Sequence, residues 1–453
     1  MSFASGVRLA SVWIAASRGV ACSGCSSGSS VVLRGRHLRL VLVFAFAGWC
    51  LGSASLAAQS PAVTPTLDDL LSGTTLNDVW LHINARDWAD LQANYRENTY
   101  YPADFEWQGV RVRNAGVRTR GRISRNDRKP SLRVDFNRYV TGQQFLGVKA
   151  IVLNSLWMDA SMLRDRLSML LFRRMGIPAP REGHVRLFIG ANREFAGVYS
   201  VVEEVNPAFL QANFNQNDGY LYEYHIQGAY GFEDPGPDLD WYRPRFDAQT
   251  HENGSTVELY APVQSLVETV NAASPSDLRG ALADVLDIDT FITQIAIQNF
   301  VAQQDGLVGQ FGMNNFYLYR FEAQSLSQII PWDQDGSFRM IDMPPWQNMD
   351  TNVLAAKIWA DPTYRDLYLR KLVEVATLAG PWLEDEVVRE YAQLREAVSV
   401  DPLAPYPFEQ FESEVAFIQQ FARDRAAIIR SYVEQVSPSV LGDGFAGGRK
   451  ARR

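Results

Sequence analysis

Between Leu76 and about Asn154 the chain consists almost wholly of short segments in which apolar and polar residues alternate. Asp78–Asn84 reads DVWLHIN, Ser131–Phe136 reads SLRVDF and Val148–Leu153 reads VKAIVL. Successive side chains on a strand point to opposite faces, so a period of two puts the apolar set on one buried face. The pattern predicts strands over these segments and two more within Glu106–Arg120, joined at Gln108–Gly109. A helix over Arg86–Tyr95 interrupts the run.

Past Asn154 the period changes. Met162, Leu163, Leu167, Leu170 and Leu171 recur at helical spacing behind Asp159 or Ser161, either of which can cap, and Gly176–Pro178 stops that helix. Strands over His184–Ile189 and Phe195–Val202, a helix over Pro207–Phe214 and a strand over Tyr220–Tyr224 follow. Gln227–Gly254 is rich in Gly, Pro and Asp and reads as a loop insertion. The remainder is mainly helical: Ile288–Gln304, Thr363–Leu378, Leu383–Glu396 and Phe408–Val436, with strands at Asn315–Arg320 and Gln328–Pro331. This order predicts an α+β fold of two unequal lobes. The expected organisation is a targeting segment over 1–58, a linker over 59–75, a strand-rich part over 76–205, a mostly helical part over 206–436 and a flexible tail over 437–453.

Charge sets the first 58 residues apart. They hold five Arg, no Lys and no acid, which leaves 38 basic against 51 acidic residues, a net charge of −13, in the remainder. Arg34, Arg36, His37 and Arg39 precede an apolar run from Leu40 to Leu51, and the small residues Gly52–Ala58 follow. A basic region, an apolar region and a small-residue cleavage zone make a secretory leader. The run is shorter than a spanning helix requires. The expected location is therefore outside the cytoplasm (periplasm, cell surface or secreted), with membrane contact only through this signal or an uncleaved anchor. Cys22, Cys25 and Cys50 all lie in it, so the mature chain has no disulfide and no Cys-ligated metal.

An acidic remainder does not suit a nucleic-acid partner. There is no G-x-x-x-x-G-K-[ST] phosphate loop, no G-x-S-x-G nucleophile elbow and no H-E-x-x-H. The five Lys are Lys129, Lys149, Lys357, Lys371 and Lys450, so lysine chemistry before Lys357 has two candidates.

The most informative stretch is Asn299–Phe338. Asp305 ends an apolar helix and begins a loop containing Gly306, Gly309 and Gly312. Asn315 opens a strand, and a second strand runs into Pro331-Trp332-Asp333-Gln334-Asp335-Gly336. If the two strands pair as a hairpin, Asn315 and Asp333 fall at one end, with Asp305 entering from the helix. Carboxylates and an amide oxygen are hard ligands suited to Mg²⁺ or Mn²⁺ carrying a polyphosphate. Asp-x-Asp-Gly is equally the pattern of an ordinary turn.

The chain resembles the CotH kinase family, atypical secreted kinases related to a spore-coat protein, from about Asn77 to Val436. The resemblance is carried by Val117–Ser124 (VRTRGRIS), by Lys129–Phe136 with Phe145–Lys149, by Ser161–Asp165 with Gly176–Pro180, and by Gly197–Val205. Asn315–Tyr319 and Pro331–Asp335 complete it. It implies an atypical protein-kinase-like two-lobed fold using ATP with Mg²⁺ or Mn²⁺. It implies that Asp305 is the catalytic Asp, that Asn315 and Asp333 hold the metal and that Asp335 is a second ligand or support. A turn through Gly121, Arg122 and Ser124 would cover the phosphates. Lys129 or Arg133, or else Lys149, would neutralise them, with Arg164 or Asp165 positioning that cation, and the backbone of Glu203 would meet the adenine. Gln303-Gln304 departs from the family's usual pair before the catalytic Asp, and Asn314 beside Asn315 leaves the ligand position open by one. The expected activity is transfer of the ATP γ-phosphate to Ser or Thr of a secreted or envelope protein. The alternatives are nucleotidyl transfer or a catalytically degenerate binding or scaffold protein.

Overall fold

Strands of alternating character have to find partners for both edges, and here seven of them do so by closing on themselves. The structure is a computed structural model that describes residues 64–443 apart from Ile123. The leader, its cleavage zone, its three Cys and the end of the tail lie outside the described residues. β1 (Asn77–Ile83), β2 (Tyr101–Trp107), β3 (Val110–Arg120), β4 (Ser131–Asp135), β5 (Ala150–Asn154), β6 (Glu182–Ile189) and β7 (Glu194–Glu203) form a closed barrel in the order β1-β2-β3-β4-β5-β7-β6. All pairings are antiparallel except β1 with β6, which runs parallel from Asn77 opposite Val185 to Leu81 opposite Ile189. Closure removes the exposed edges that an open sheet would have to protect. Every second residue of β1 is buried, and the barrel interior is packed by Phe105, Trp107, Phe136 and Phe145, whose rings meet edge-on or tilted.

A second sheet has the order β11-β10-β8-β9, from β8 (Tyr220–Tyr224), β9 (Phe246–Ala248), β10 (Phe316–Arg320) and β11 (Ser327–Pro331). The helices are α1 (Leu67–Leu71), α2 (Ala85–Ala93), α3 (Arg164–Arg174), α4 (Pro207–Phe214), α5 (Thr256–Ala272), α6 (Leu278–Leu282), α7 (Ile288–Phe300), α8 (Val353–Ala360), α9 (Pro362–Ser399), α10 (Phe408–Val436) and α11 (Pro438–Asp443). α9 breaks its helical geometry at Gly380, before Pro381, so it reads as two helices joined at a bend. α7 is buried on almost every face and packs against α9 and β11. Among the described residues no helix is long and apolar enough to cross a membrane.

The α+β expectation holds, but the two-lobed protein-kinase-like arrangement does not. The described residues fall in one compact unit, and the early strands belong to a closed barrel rather than to a separate strand-rich lobe. The physical cause is long-range. β6 and β7 come after α3, and β6 seals the sheet against β1, more than a hundred residues earlier in the chain.

One ion pair ties the barrel to the helices. Lys129, just ahead of β4, is fully buried, and its Nζ donates to Asp401 Oδ2 at 2.9 Å. Asp401 lies between α9 and α10. Its Oδ2 also accepts from the N–H of Val198 at 2.9 Å, on a stretch of β7 beyond the end of β5. The ammonium sits 5.1 Å from the Tyr199 ring centroid. Burial pulls the Lys129 pKa down, and Asp401 opposes that pull. Removing one member strands the other charge, which costs about 3–5 kcal/mol. Lys129→Met should therefore destabilise the protein by about that amount in urea denaturation. Adding Asp401→Asn, which removes the stranded charge but keeps an acceptor for Val198, should recover most of it. An unchanged midpoint in the single variant would contradict this role.

Candidate active site

The end of α7 sets the site. Val301 closes the helix and Ala302 turns left-handed (φ 55°), so the chain leaves the helix at Phe300 and not at Gln304 as the sequence pattern suggests. No glycine marks that turn in the sequence. The N–H of Gln303 then bonds the Gln298 carbonyl at 2.8 Å, and Asp305 follows at the head of the Gly-containing loop.

Across from it, β10 and β11 pair with Phe316 opposite Pro331. Just beyond, the Trp332 N–H donates to the Asn315 carbonyl at 3.1 Å, so Asn315 and Asp333 lie at the same end of this hairpin. Asn315 Nδ2 donates to the Asp305 carbonyl at 2.9 Å and to Asp305 Oδ2 at 3.1 Å. Asn314 Nδ2 donates to Asp305 Oδ1 at 3.1 Å and Oδ2 at 3.0 Å. Both Asn amides thus orient the Asp305 carboxylate, and among the described residues the Oδ1 of Asn315 accepts no hydrogen bond. Asn315 and Asp333 are left-handed (φ 59° and 48°), a conformation Asn and Asp tolerate better than most residues. Phe338 shares it (φ 57°) without that tolerance, so strain of about 1 kcal/mol or more is held at this edge.

Buried glutamines frame the turn. Gln334 is fully buried; its Nε2 donates to the Trp332 carbonyl at 2.7 Å, and its Oε1 accepts from Gln298 Nε2 at 3.2 Å. Gln303 Oε1 accepts the Asp305 N–H at 3.1 Å. A Cβ on Gly336 would meet that Gln303 oxygen, so a side chain there would require Gln303 to move. The N–H of Gln334 donates to Asp165 Oδ1 at 2.7 Å, from the first turn of α3. Asp165 lies beside Glu182 of β6, whose Oε2 accepts from Ser200 at 3.1 Å while its Oε1 has no hydrogen-bond partner among the described residues.

Too many acids meet here for all to ionise freely. Burial pushes Asp333 up to about 6, with Asp305 and Glu223 adding to the rise and Arg120 opposing it. Burial, then Asp333 and Asp159, holds Asp335 well above the usual carboxylate range. Burial, then Glu182 and Asp333, does the same to Asp165. Burial raises Glu182 to about 7, against the hydrogen bond from Ser200 and the nearby charge of Arg166. Among the described residues, neither the Asp333 nor the Asp335 carboxylate has a hydrogen-bond donor among the influences on it. Both are half-buried.

The other sequence candidates lie in several places. Gly121 (φ 104°) and Ser124 form a tight turn, closed by Arg125 Nε on the Gly121 carbonyl at 2.6 Å. Arg122 reaches the Ile226 carbonyl at 3.3 Å. Lys129 is inside the structure against Asp401, while Arg133 is taken up by Glu204, Asp135 and Tyr100 at 2.6–3.3 Å. Lys149 is exposed at the approach to β5. Arg164 bonds Asp159 and Glu414. The carboxylate of Glu203 is held by Arg181, and its N–H bonds the Arg181 carbonyl at 2.9 Å. The cation that does face Asp333 is Arg120, at the end of β3. Arg118, Arg120 and Arg122 alternate along one segment, and alternation alone does not say which of them turns to the site.

Among the described residues no group of three or more His, Cys, Asp or Glu is close enough to hold a metal. The donor set is smaller: Asn315 Oδ1 with the carboxylates of Asp333 and Asp335. Mg²⁺ usually takes one or two carboxylates and completes its shell with phosphates and water. The set therefore fits an ion that arrives with a polyphosphate, and the unpartnered, mutually repelling carboxylates are what such an ion would offset.

The hairpin end thus gathers an Asn and an Asp, with an oriented Asp opposite and an Arg beside them. In comparison with known proteins, the family described as CotH kinase protein matches residues 117–429, well over half of the chain. The chain belongs to the CotH kinase family. Inner spore coat protein H of Bacillus subtilis (strain 168) is 23% identical over 363 residues, which make up 78% of this chain and 96% of that protein.

The Glu182 pKa makes stability depend on pH with a definite sign. A carboxyl at about 7 in the fold and about 4.3 in the unfolded chain contributes stability in full below the unfolded value. That contribution is lost as pH rises through about 7. Thermal melts of Glu182→Gln should show a shallower fall of Tm between about pH 5 and pH 8 than the parent. Parallel pH profiles would contradict a Glu182 carboxyl held protonated by burial.

Proposed function

We propose that this CotH-family chain is an ATP-dependent protein kinase that phosphorylates Ser or Thr on an exported or envelope protein. Family membership supports the phosphotransfer class. The reading of the site rests on one observation: Asp333 and Asp335 lack hydrogen-bond donors among the described residues, beside a hairpin end where Asn315 and Asn314 orient the Asp305 carboxylate. Carboxylates crowded this way repel one another, and a cation between them would offset that repulsion.

Asn315, Asp333 and Asp335 would hold Mg²⁺ or Mn²⁺, which when bound would offset the charge of the transferring phosphates. Asp305, its carboxylate oriented by Asn314 and Asn315 at 3.0–3.1 Å, would align the acceptor hydroxyl and take its proton. The buried Gln298, Gln303 and Gln334 keep the two halves of the site in register. Holding the reactants in line, rather than covalent chemistry by the protein, would supply most of the rate. Export is supported by the acid-free, basic residues 1–58.

Asp333→Ala should abolish the thermal stabilisation by ATP with Mn²⁺, because a ligand that binds only the folded state raises Tm. Asp305→Asn should keep that stabilisation yet lose transfer by about a hundredfold or more. Labelled ATP identifies the reaction: γ-label on the acceptor supports the kinase reading, α-label means nucleotidyl transfer, and no label means a binding protein. Unchanged Mn²⁺-ATP stabilisation in Asp333→Ala would overturn the site assignment.

A further inference from the structure

We propose that Arg120 is the residue that binds the nucleotide's phosphate chain at this site. The proposal rests on the kinase reading above and supplies a cation which that reading lacks. The cations suggested by the sequence pattern are engaged or distant: Lys129 is fully buried on Asp401, Arg133 bonds three partners, and Lys149 is exposed at the approach to β5.

Arg120 differs in position and in unused capacity. Its guanidinium lies over the Trp332 ring, 4.8 Å from the centroid, and Trp332 directly precedes Asp333. This contact holds the group beside the acidic turn without consuming its N–H donors. Among the described residues its side chain makes one hydrogen bond, Nη2 to Glu223 Oε1 at 3.3 Å, long for a charge-assisted pair. Of the other acids around it, Glu204 is already bonded by Arg133 at 2.7 and 3.3 Å. Four of its five N–H donors therefore remain for an anion. A flat guanidinium with free parallel donors matches two oxygens of one phosphate group. Gly121 comes next (φ 104°), and the turn through Ser124 carries the chain on directly from this cation. The arrangement places a fixed positive fork next to the carboxylates that would share the same phosphates' counter-ion.

A role confined to balancing Asp333 would affect every ligand alike, whereas a phosphate contact grades with phosphate number. Binding of adenosine, AMP, ATP and inorganic tripolyphosphate, each with Mn²⁺, is measured on the full chain and on Arg120→Met and Arg120→Lys. The melting temperature without ligand is recorded for each variant. Arg120→Met should weaken ATP and tripolyphosphate about 10- to 100-fold, weaken AMP less and leave adenosine unchanged. Arg120→Lys should recover only part of the loss, and it carries the test if the Met variant does not fold. Equal weakening of all four ligands, or ATP binding the same in parent and variants, overturns the role of Arg120; in the second case the kinase reading stands. Arg120-dependent binding of tripolyphosphate without binding of ATP upholds Arg120 and removes the nucleotide from the reading. A parent chain that binds none of the four overturns both.

Discussion

The buried contact between Lys129 and Asp401 is the constraint on which the rest of the structure depends. Two charges removed from water are tolerable only while each keeps the other, and Asp401 has the Val198 N–H as well. Their sequence separation is large: one precedes β4 and the other follows α9. The pair therefore fixes the α9–α10 connection onto the barrel, and Leu403 of the same loop packs against the barrel core. That loop also carries Tyr406 into the neighbourhood of Asp159, Arg339 and Asp335. Arg164 adds a second tie, from Asp159 to Glu414 of α10. These ionic contacts add specific ties between barrel and helices to the apolar packing.

The site itself works against local preference. Four non-glycine residues around it, Ala302, Asn315, Asp333 and Phe338, are left-handed. Several carboxyls share a small volume, and burial drives Asp165, Asp333 and Asp335 toward their neutral forms. Such conflicts persist only where surrounding packing over-determines them, and they concentrate at functional sites. Here the packing is a chain of buried glutamines and the N–H of Gln334 on Asp165. A polyphosphate with its cation would relieve the charge conflict without disturbing that frame.

Much of this was legible in the residues. Alternation located β1, β4 and β5, and the Gln108–Gly109 turn located the β2–β3 hairpin. The β10–β11 hairpin brings Asn315 and Asp333 to one end, and Asp305 joins them through two Asn amides. What escaped was non-local. Nothing in DVWLHIN says that its second edge pairs in parallel with a strand beyond α3, so barrel closure could not be read and two lobes were expected instead. Lys129 reads as a phosphate-neutralising cation ahead of a strand, because its true partner lies 272 residues away. Arg120 hid among three alternating arginines, and the bond from the Gln334 N–H to Asp165 joins the acidic turn to a helix start that sequence spacing does not relate to it.

The central claim is that the hairpin end of Asn315 and Asp333 accepts a phosphate-borne cation opposite Asp305. A crystal structure with Mn²⁺ and a non-hydrolysable ATP analogue, recorded at the manganese absorption edge, tests it most directly. An anomalous peak in contact with Asn315 Oδ1 and the Asp333 carboxylate, with the terminal phosphate turned toward Asp305, is the result expected. Manganese and nucleotide bound elsewhere on the chain, with this turn unchanged, would contradict it.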